Sequence, residues 1–150
     1  MEIRGPAWHG FVDDEHFVPP SQPQGGRIAP DDSQVAELRQ ECGEDEWIEG
    51  GFVFDDGLLY GVGAGGRLLA AGNMTPFRGL LADVGLITHL DHRGKGLAKA
   101  VASRMIMDAL PEARLIRYRS RTANAASLAV ALSLGFVGRG ENVAARPRRS

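Results

Sequence analysis

The sequence predicts a mixed α/β domain with a mostly antiparallel sheet, one parallel pair of strands and helices on both faces. Two apolar runs joined by a glycine-rich turn at residues 63–66 indicate a β-hairpin, whose strands are antiparallel. A strand, a helix and a second strand follow over residues 82–120, and a unit of this kind makes its two strands parallel. Because the chain has 150 residues, we expect residues 1–150 to form a single domain.

The N-terminal segment, residues 1–33, is the least regular part of the chain because prolines and glycines interrupt its few apolar residues. A short strand is expected at residues 6–11 or at residues 16–18. A helix is predicted to begin after this segment, with Asp32 or Ser33 as its N-cap, since the apolar residues that follow are spaced to lie on one helical face.

The rest of the chain alternates between strand and helix patterns. The predicted strands are 58–62, 67–74, 82–89, 115–120 and 136–146, and the predicted helices are 97–110 and 124–134. We expect Pro111 to end the first of these helices, because proline lacks the backbone N–H that a helix needs. Asn124 is placed to cap the second, and Gly135 is placed to accept the left-handed conformation that stops it.

Composition limits the class of protein. The single cysteine, Cys42, excludes an internal disulfide and a cysteine-based metal cluster, and no metal is expected. The chain has neither an apolar run long enough to span a membrane nor a signal-peptide pattern, so we expect a cytoplasmic protein with no membrane partner.

Charge is distributed unevenly along the chain. Residues 1–75 contain 4 basic and 14 acidic side chains, whereas residues 76–150 contain 13 and 5. This pattern fits either two halves that attract each other or a basic half that binds an anionic partner. A nucleic acid is not the expected partner, because exposed aromatic residues for base stacking are missing among the basic ones.

The segment 91–98, between a predicted strand and a predicted helix, has the composition of an anion-binding loop. Gly94 and Gly96 let the backbone approach a ligand, and the amides at the start of the helix would face it. Arg93 and Lys95 add positive charge that suits a pyrophosphate. The spacing fits neither a Walker loop nor a dinucleotide fingerprint.

Two motifs resemble those of the GNAT superfamily of N-acyltransferases. Arg93, Gly96 and Ala98 fill the fixed places of its acyl-CoA loop, Gln/Arg-x-x-Gly-x-Gly/Ala. Farther along, Asn124 begins a helix that ends in Gly135-Phe136, as in the second motif of that superfamily. The resemblance covers residues 58–146 and implies an N-acetyltransferase that uses acetyl-CoA.

The resemblance also implies where acetyl-CoA binds. The cofactor would lie in a V-shaped gap between two splayed parallel strands, here 82–89 and 115–120. Its pantetheine arm would meet the backbone of the first strand, and its pyrophosphate would meet the amides of the loop, with Asn124 and Ser127 reaching the arm. The implied contact residues are Leu86, Ile87, Thr88, Arg93, Gly94, Lys95, Gly96, Leu97, Ala98, Asn124 and Ser127.

The catalytic residues are less well specified. Asp83 is the carboxylate on the strand before the loop and is the candidate general base, the alternative being an aspartate in a salt bridge. The tyrosine that acts as general acid in many relatives is replaced here by Ala131. Since a thiol has a pKa of about 8.5, the CoA thiolate can leave without enforced protonation. Tyr118 could substitute only if its side chain points at the sulfur.

The acceptor is expected to be an amine on a small molecule or a peptide. A cluster of acidic residues after the first helix suggests that this amine is cationic. The cluster comprises Glu41, Glu44, Asp45, Glu46 and Glu49. The alternative function is a non-catalytic acyl-CoA-binding module. Residues 6–18 would supply the first strand, or another chain would complete the core, as in a homodimer.

Overall fold

A computed structural model describes residues 6–20, 24–52, 57–77 and 79–143. The strands are β1 (Pro6–Asp13), β2 (Gly26–Arg27), β3 (Leu58–Ala64), β4 (Arg67–Phe77), β5 (Leu80–Thr88), β6 (Leu115–Arg121) and β7 (Val137–Val143). The helices are α1 (Ser33–Cys42), α2 (Glu44–Glu49), α3 (Leu97–Ala113) and α4 (Ala125–Ser133), and Leu90–His92 forms a short 3-10 turn. None of the described helices is long and apolar enough to cross a membrane.

The strands form a seven-stranded sheet in the order β2-β3-β4-β5-β6-β1-β7. Every neighbouring pair is antiparallel except β5 and β6, which are parallel because α3 connects them. The predicted fold class is therefore confirmed, including the hairpin of β3 and β4 and the strand-helix-strand unit of β5, α3 and β6.

Helices cover both faces of the sheet. On the back face, α3 contributes Val101 and Met105 to a core that also contains Val84 and Ile116 from the two parallel strands. On the front face, α1 and α2 pack over β3, β4 and β5, where Leu38 and Trp47 belong to the same buried cluster as Ile87. The burial of each large apolar side chain is worth about 1.5–3 kcal/mol, so these two clusters hold the layers together.

The N-terminal strand occupies a position that the sequence did not predict. A strand was expected at 6–11 or 16–18, and β1 covers the first of these, but it inserts between β6 and β7 instead of forming an edge. Successive side chains of β1 point to opposite faces of the sheet, and Val12 and Trp8, which share a face, pack on the back core. This packing holds β1 inside the sheet. The indole of Trp8 lies against Gly10, where a Cβ would come within 2.2 Å of the ring, so only glycine fits beside it.

The segment after β1 crosses the back face from one side of the sheet to the other. Phe17 packs on the back core, and the Val18 amide donates to the carbonyl of Leu134 at 2.9 Å. The chain then reaches β2, which pairs with β3 at the opposite edge. The N-terminal segment thus adds a strand at one side of the sheet and another at the far side.

The first helix begins as expected and is followed by a second that was not predicted. Asp32 is the N-cap of α1, its Oδ1 accepting from the Gln34 amide at 2.9 Å. Three acidic residues occupy the first turn of α2, where negative charge favours a helix N-terminus, and Trp47 is buried. Four of the five residues of the acidic cluster therefore lie in α2, and Glu41 lies in α1.

Pro111 does not end α3, as the sequence suggested, but lies inside its last turn. At this point the missing N–H removes one hydrogen bond of the helix, the one to the carbonyl of Met107, and Met107 is exposed to solvent. The helix ends at Arg114, which adopts a left-handed conformation with φ of 68° and donates its amide to Leu110. One lost bond at a solvent-facing position is a small cost beside the packing of the helix.

The C-terminal elements follow the prediction. The Asn124 side chain caps α4 by accepting from the Ser127 amide at 3.1 Å. Gly135 follows the helix with a φ of 99°, the left-handed conformation that glycine tolerates. The last predicted strand is present to Val143, and residues 144–146 of that prediction lie outside the described residues.

Candidate functional site

The two parallel strands separate to form a fork. They pair at only two positions, Asp83 with Arg117 and Val84 with Tyr118. Beyond these pairs β5 continues for four residues, to Thr88, bonded to β4 alone, while β6 stays paired with β1. Alternate backbone groups of the free part of β5 therefore face the gap and can bind an extended ligand.

A loop bounds the fork on the front face. A Cβ on Gly85 would lie 1.9 Å from the carbonyl oxygen of Gly50, so the loop after α2 rests directly on β5. The Asn73 side chain fixes the loop by donating to the Gly51 carbonyl at 2.9 Å. Among the described residues, this loop bounds the front of the gap on the side of β5.

The predicted anion-binding loop lies at the open end of the fork. Gly94 and Gly96 have φ of 81° and 78°, which favours glycine, and nothing lies within 4 Å of a Cβ built on either. Gly96 is the N-cap of α3 and provides no side-chain cap. The first amides of a 17-residue helix therefore face outward, where an anion would meet them and the positive end of the helix dipole.

A shallow pocket of about 200 Å³ adjoins this helix start. The crossing segment forms one wall and the first turn of α3 forms the other. The lining residues are Pro20, Gln24, Lys95, Gly96, Leu97, Lys99 and Ala100. Two lysines and the free amides give the pocket a positive character.

The side chain of Arg93 is used within the protein. Its guanidinium donates to Glu46 of α2 at 2.8 Å and to the Thr88 carbonyl at 3.4 Å. Arg93 therefore fastens the loop to α2 and β5, and its role in anion binding stays a prediction. The ammonium of Lys95 lies 3.1 Å from Nδ1 of His92, at the exposed side of the loop.

The start of α4 lines the fork from the back. Asn124 is exposed, and its cap bond uses only Oδ1, which leaves its amide N–H groups without a partner among the described residues. Ser127 is half-buried, and its Oγ lies 3.0 Å from the hydroxyl of Tyr118. Both predicted residues of this helix thus lie beside the vertex of the fork, which Tyr118 and Val84 form.

Tyr118 faces the back of the sheet and meets α4. Its hydroxyl also donates to the Ser127 carbonyl at 3.1 Å, and its ring packs edge-on against Phe136. Burial raises the pKa of Tyr118 to about 12, so the phenol keeps its proton at neutral pH. Ala131, at the place of the tyrosine acid of many relatives, is fully buried in the same region.

Asp83 is buried and already paired. Its carboxylate accepts from Nε and Nη2 of Arg117 at 3.2 and 2.9 Å, and from Nη2 of Arg119 at 3.0 Å. This is the salt-bridge arrangement that the sequence left as the alternative. The base role of Asp83 stays a prediction.

His9 was missed by sequence reasoning. It lies opposite Arg119 in the β1–β6 pairing, on the face that carries Asp83, and the β1–β7 register shifts beside it. Burial lowers the pKa of His9, the charges of Arg117 and Arg119 lower it further, and Asp83 opposes them. Only the alternation of β1 between core and front face could have indicated this position.

The acidic cluster is neutralised within the chain. Four of its five carboxylates bind arginines, at distances of 2.6 to 2.9 Å. The pairs are Glu41–Arg67, Glu44–Arg39, Glu46–Arg93 and Glu49–Arg121. Two of these arginines, Arg93 and Arg121, belong to the basic half and pair with α2 of the acidic half, so the interpretation in which the two halves attract each other is favoured. The cluster no longer argues for a cationic acceptor.

Other titratable candidates are structural. His89 is buried, accepts from the Asp91 amide and lies 2.9 Å from Glu41. The hydroxyl of Tyr60 donates to Asp108 at 2.9 Å on the back face. Burial, and then that bond, raises the pKa of Tyr60 to about 12. Neither side chain is turned toward the fork.

Comparisons with known proteins agree with this geometry. The chain is similar to the structure of a GNAT-family acetyltransferase from Colwellia psychrerythraea (18% identity, TM-score 0.70, 94% of this chain and 55% of that one). It is also similar to a GCN5-related N-acetyltransferase from Kribbella flavida (16%, 0.59, 95% and 58%) and to a tandem GNAT protein from the clavulanic acid biosynthesis pathway (23%, 0.64, 95% and 53%). At sequence identities this low, the similarity shows a shared fold and no more.

The chain spans little more than half the length of these solved structures. No protein of curated function matches it. A family model described as GNAT acetyltransferase matches residues 70–144, which include the fork, the anion-binding loop and α4. The chain belongs to the GNAT acetyltransferase family.

Proposed function

We propose that the protein is an N-acetyltransferase that transfers the acetyl group of acetyl-CoA to a primary amine. The observation that carries this proposal is the fork of β5 and β6 beside the uncapped N-terminus of α3. The fork offers backbone groups to an extended arm, and the helix start offers amides to a pyrophosphate. Few other ligands than acyl-CoA combine these two parts.

The cofactor contacts are mostly backbone contacts. The pantetheine arm binds the free edge of β5 at Leu86, Ile87 and Thr88, while the amides of residues 94–98 hold the pyrophosphate. The groups that bond to the arm are those of Leu86 and Thr88, because the His89 amide bonds to Leu69 of β4 and the alternation of the ladder turns the backbone of Ile87 to β4 as well. The side chain of Ile87 is buried under α1 and α2. The amide of Asn124 reaches the arm from α4.

The reaction is a direct acyl transfer at the vertex. A base takes one proton from the ammonium, the neutral nitrogen attacks the thioester carbonyl to form the C–N bond, and the C–S bond breaks when the resulting tetrahedral intermediate collapses. A backbone amide of β5 stabilises the oxyanion of the tetrahedral intermediate. The nitrogen then gives up its second proton, and the departing thiolate takes up one proton, directly from the nitrogen or through solvent.

The second candidate is a module that binds acyl-CoA without turnover. It is favoured by Ala131 and by the engagement of Asp83 with Arg117 and Arg119. Release of free thiol with a panel of amines separates the two functions. Under the proposal, acetyl-CoA binds and thiol appears only when an amine is present.

Gly96→Ala tests the cofactor site. A side chain at this positive φ strains the loop and stands in the path of the anion, so we expect acetyl-CoA affinity to fall about 10-fold or more. Gly65→Ala is the matched control, because Gly65 has a φ of 60° with open space around it, in the turn between β3 and β4. Isothermal titration calorimetry measures both variants. Equal affinities for acetyl-CoA in the two would contradict the proposal.

A further inference from the structure

We propose that the front side of the fork is an acceptor site for amines that also carry a carboxylate, with Arg119 binding the carboxylate and His9 accepting the proton. This inference rests on the proposed function, because it concerns the second substrate of the same reaction. It assigns a substrate class resembling the α-amino acids, and it replaces the cationic acceptor that the acidic cluster suggested.

The location follows from the strand register. Tyr118 is the last residue of β6 that pairs with β5, so Arg119 is the first beyond the vertex. Residues of β6 alternate between faces, and because Tyr118 faces the back core, Arg119 faces the front. An acetyl group at the vertex is therefore adjacent to Arg119 on the front side.

The charges at this site do not cancel. Arg117 and Arg119 share the single carboxylate of Asp83, which leaves an excess of one positive charge among the described residues. Arg117 makes two bonds to Asp83, and its guanidinium lies 4.1 Å from the centre of the Phe77 ring. Both its charge and its planar face are therefore already engaged.

Arg119 is the arginine that is left to bind a ligand. Its side chain is 49% exposed and spends one contact on Asp83, so most of its N–H donors have no partner among the described residues. Arg121, two residues farther along β6, already forms a bidentate salt bridge with Glu49. The planar guanidinium of an arginine can donate to both oxygens of a carboxylate at once, which a lysine ammonium does less well. The free donors of Arg119 therefore favour a carboxylate as ligand.

His9 is placed to take a proton from an amine held in this way. Residues directly opposite in an antiparallel pair have Cβ atoms about 5 Å apart on the same face, which sets the distance of His9 from Arg119. The imidazole is half-buried and makes no hydrogen bond to a described residue. The described charged groups that face it are Arg117, Arg119 and Asp83. Burial lowers the pKa of His9, the two arginines lower it further and Asp83 opposes them, and since the net shift is downward the ring is a neutral base near pH 7.

The proton balance is complete with these groups. Arg119 holds the carboxylate, and the neighbouring ammonium gives one proton to neutral His9, which becomes an imidazolium. The free amine attacks the thioester, the C–N bond forms, the C–S bond breaks, and the second amine proton goes to the departing thiolate. His9 then returns its proton to solvent.

Matched substrates test the specificity. Each α-amino acid is compared with the amine that lacks only its carboxylate, at saturating acetyl-CoA. We expect kcat/KM to be about 10- to 100-fold higher for the amino acid, the size of one charge-assisted hydrogen bond. In Arg119→Gln this preference disappears through KM, whereas Arg104→Gln, a similarly exposed arginine paired with Asp108 on α3, retains it. Equal or better turnover of the amines by the wild type overturns the inference.

His9→Gln tests the proton acceptor. We expect kcat to fall about 100-fold with little change in KM, since a positioned base contributes about 10²- to 10⁴-fold. The decline of wild-type kcat/KM at acidic pH, which reports protonation of a histidine with a pKa below 6.5, disappears in the variant. A variant that keeps wild-type kcat and that decline overturns the role of His9.

A binding measurement separates this inference from the proposed function. With CoA bound, N-acetylglycine serves as a product-like carboxylate and N-methylacetamide as its neutral counterpart, and NMR follows the imidazole of His9. We expect N-acetylglycine alone to raise the pKa of His9, because its charge offsets that of Arg119. If CoA binds but N-acetylglycine leaves His9 unchanged, the acceptor site is wrong while the cofactor site stands. If CoA itself does not bind, the proposed function fails.

Discussion

The two sides of the fork are built from different parts of the chain. The cofactor side consists of consecutive residues, the end of β5, the loop with Gly94 and Gly96 and the start of α3, and it offers mainly backbone groups. The acceptor side consists of side chains from separate strands, namely His9, Asp83 and Arg119. A backbone site depends on local conformation, whereas a side-chain site depends on the register between distant strands.

This difference explains what the sequence could predict. Glycines that need a positive φ and an N-cap such as Asn124 leave a local pattern, so the conformation of the loop and the start of α4 were predicted correctly, while anion binding by the loop stays a prediction. The place of β1 between β6 and β7 leaves none, because it is decided by packing between strands that are about a hundred residues apart. His9 could not be assigned for this reason.

Pairing between distant charges was equally invisible. The carboxylates after α1 looked like a site for a cation, yet Glu46 and Glu49 bind Arg93 and Arg121. The sequence showed two halves of opposite charge but not which groups meet. The prediction that Pro111 ends α3 was wrong for a related reason. The cost of a proline in a helix depends on whether the carbonyl that loses its hydrogen bond is exposed to solvent, and the sequence does not show this.

The largest predicted effect is on the acceptor side. Asp83→Ala leaves Arg117 and Arg119 without their shared carboxylate at a buried position, so we expect the free energy of unfolding to fall by about 3 kcal/mol. Glu44→Ala, which removes an exposed partner of Arg39, should cost within about 1 kcal/mol. Chemical denaturation measures both, and equal losses would contradict the assignment of Asp83 as a buried anchor.

Asp83→Asn sharpens the same comparison. The amide oxygen still accepts from one guanidinium, so the variant retains more stability than Asp83→Ala, but it cannot act as a base. Turnover that survives in Asp83→Asn and is lost in His9→Gln assigns the proton transfer to His9. The reverse result assigns it to Asp83.

A smaller effect is expected where the two sides meet. Gly85→Ala drives a Cβ into the carbonyl of Gly50 and forces the loop away from β5, at a cost of about 1–3 kcal/mol. Acetyl-CoA affinity should fall with it, because the front wall of the fork moves. Gly26→Ala, which meets nothing within 4 Å, is the control. Thermal unfolding with and without acetyl-CoA measures both the stability and the stabilisation by the ligand. If Gly85→Ala and Gly26→Ala have the same Tm in both conditions, the loop does not bound the site.

The smallest effect separates the two roles of Asn124. Loss of its cap in Asn124→Ala should cost about 1 kcal/mol of stability. Asn124→Ser keeps a capping oxygen but removes the amide donors, so it should be as stable as the wild type and yet bind acetyl-CoA more weakly. Wild-type affinity in Asn124→Ser would show that Asn124 is only a cap.

The most direct test of the central claim is to map bound CoA onto the backbone by NMR. The account predicts that CoA shifts the amide resonances of residues 86–88 and 94–98 and slows hydrogen exchange at those amides that face the ligand. His9 of β1, which faces the front of the sheet, changes little until an acceptor is added. Shifts confined to other parts of the molecule, with the amides of residues 86–88 and 94–98 unaffected, would contradict it.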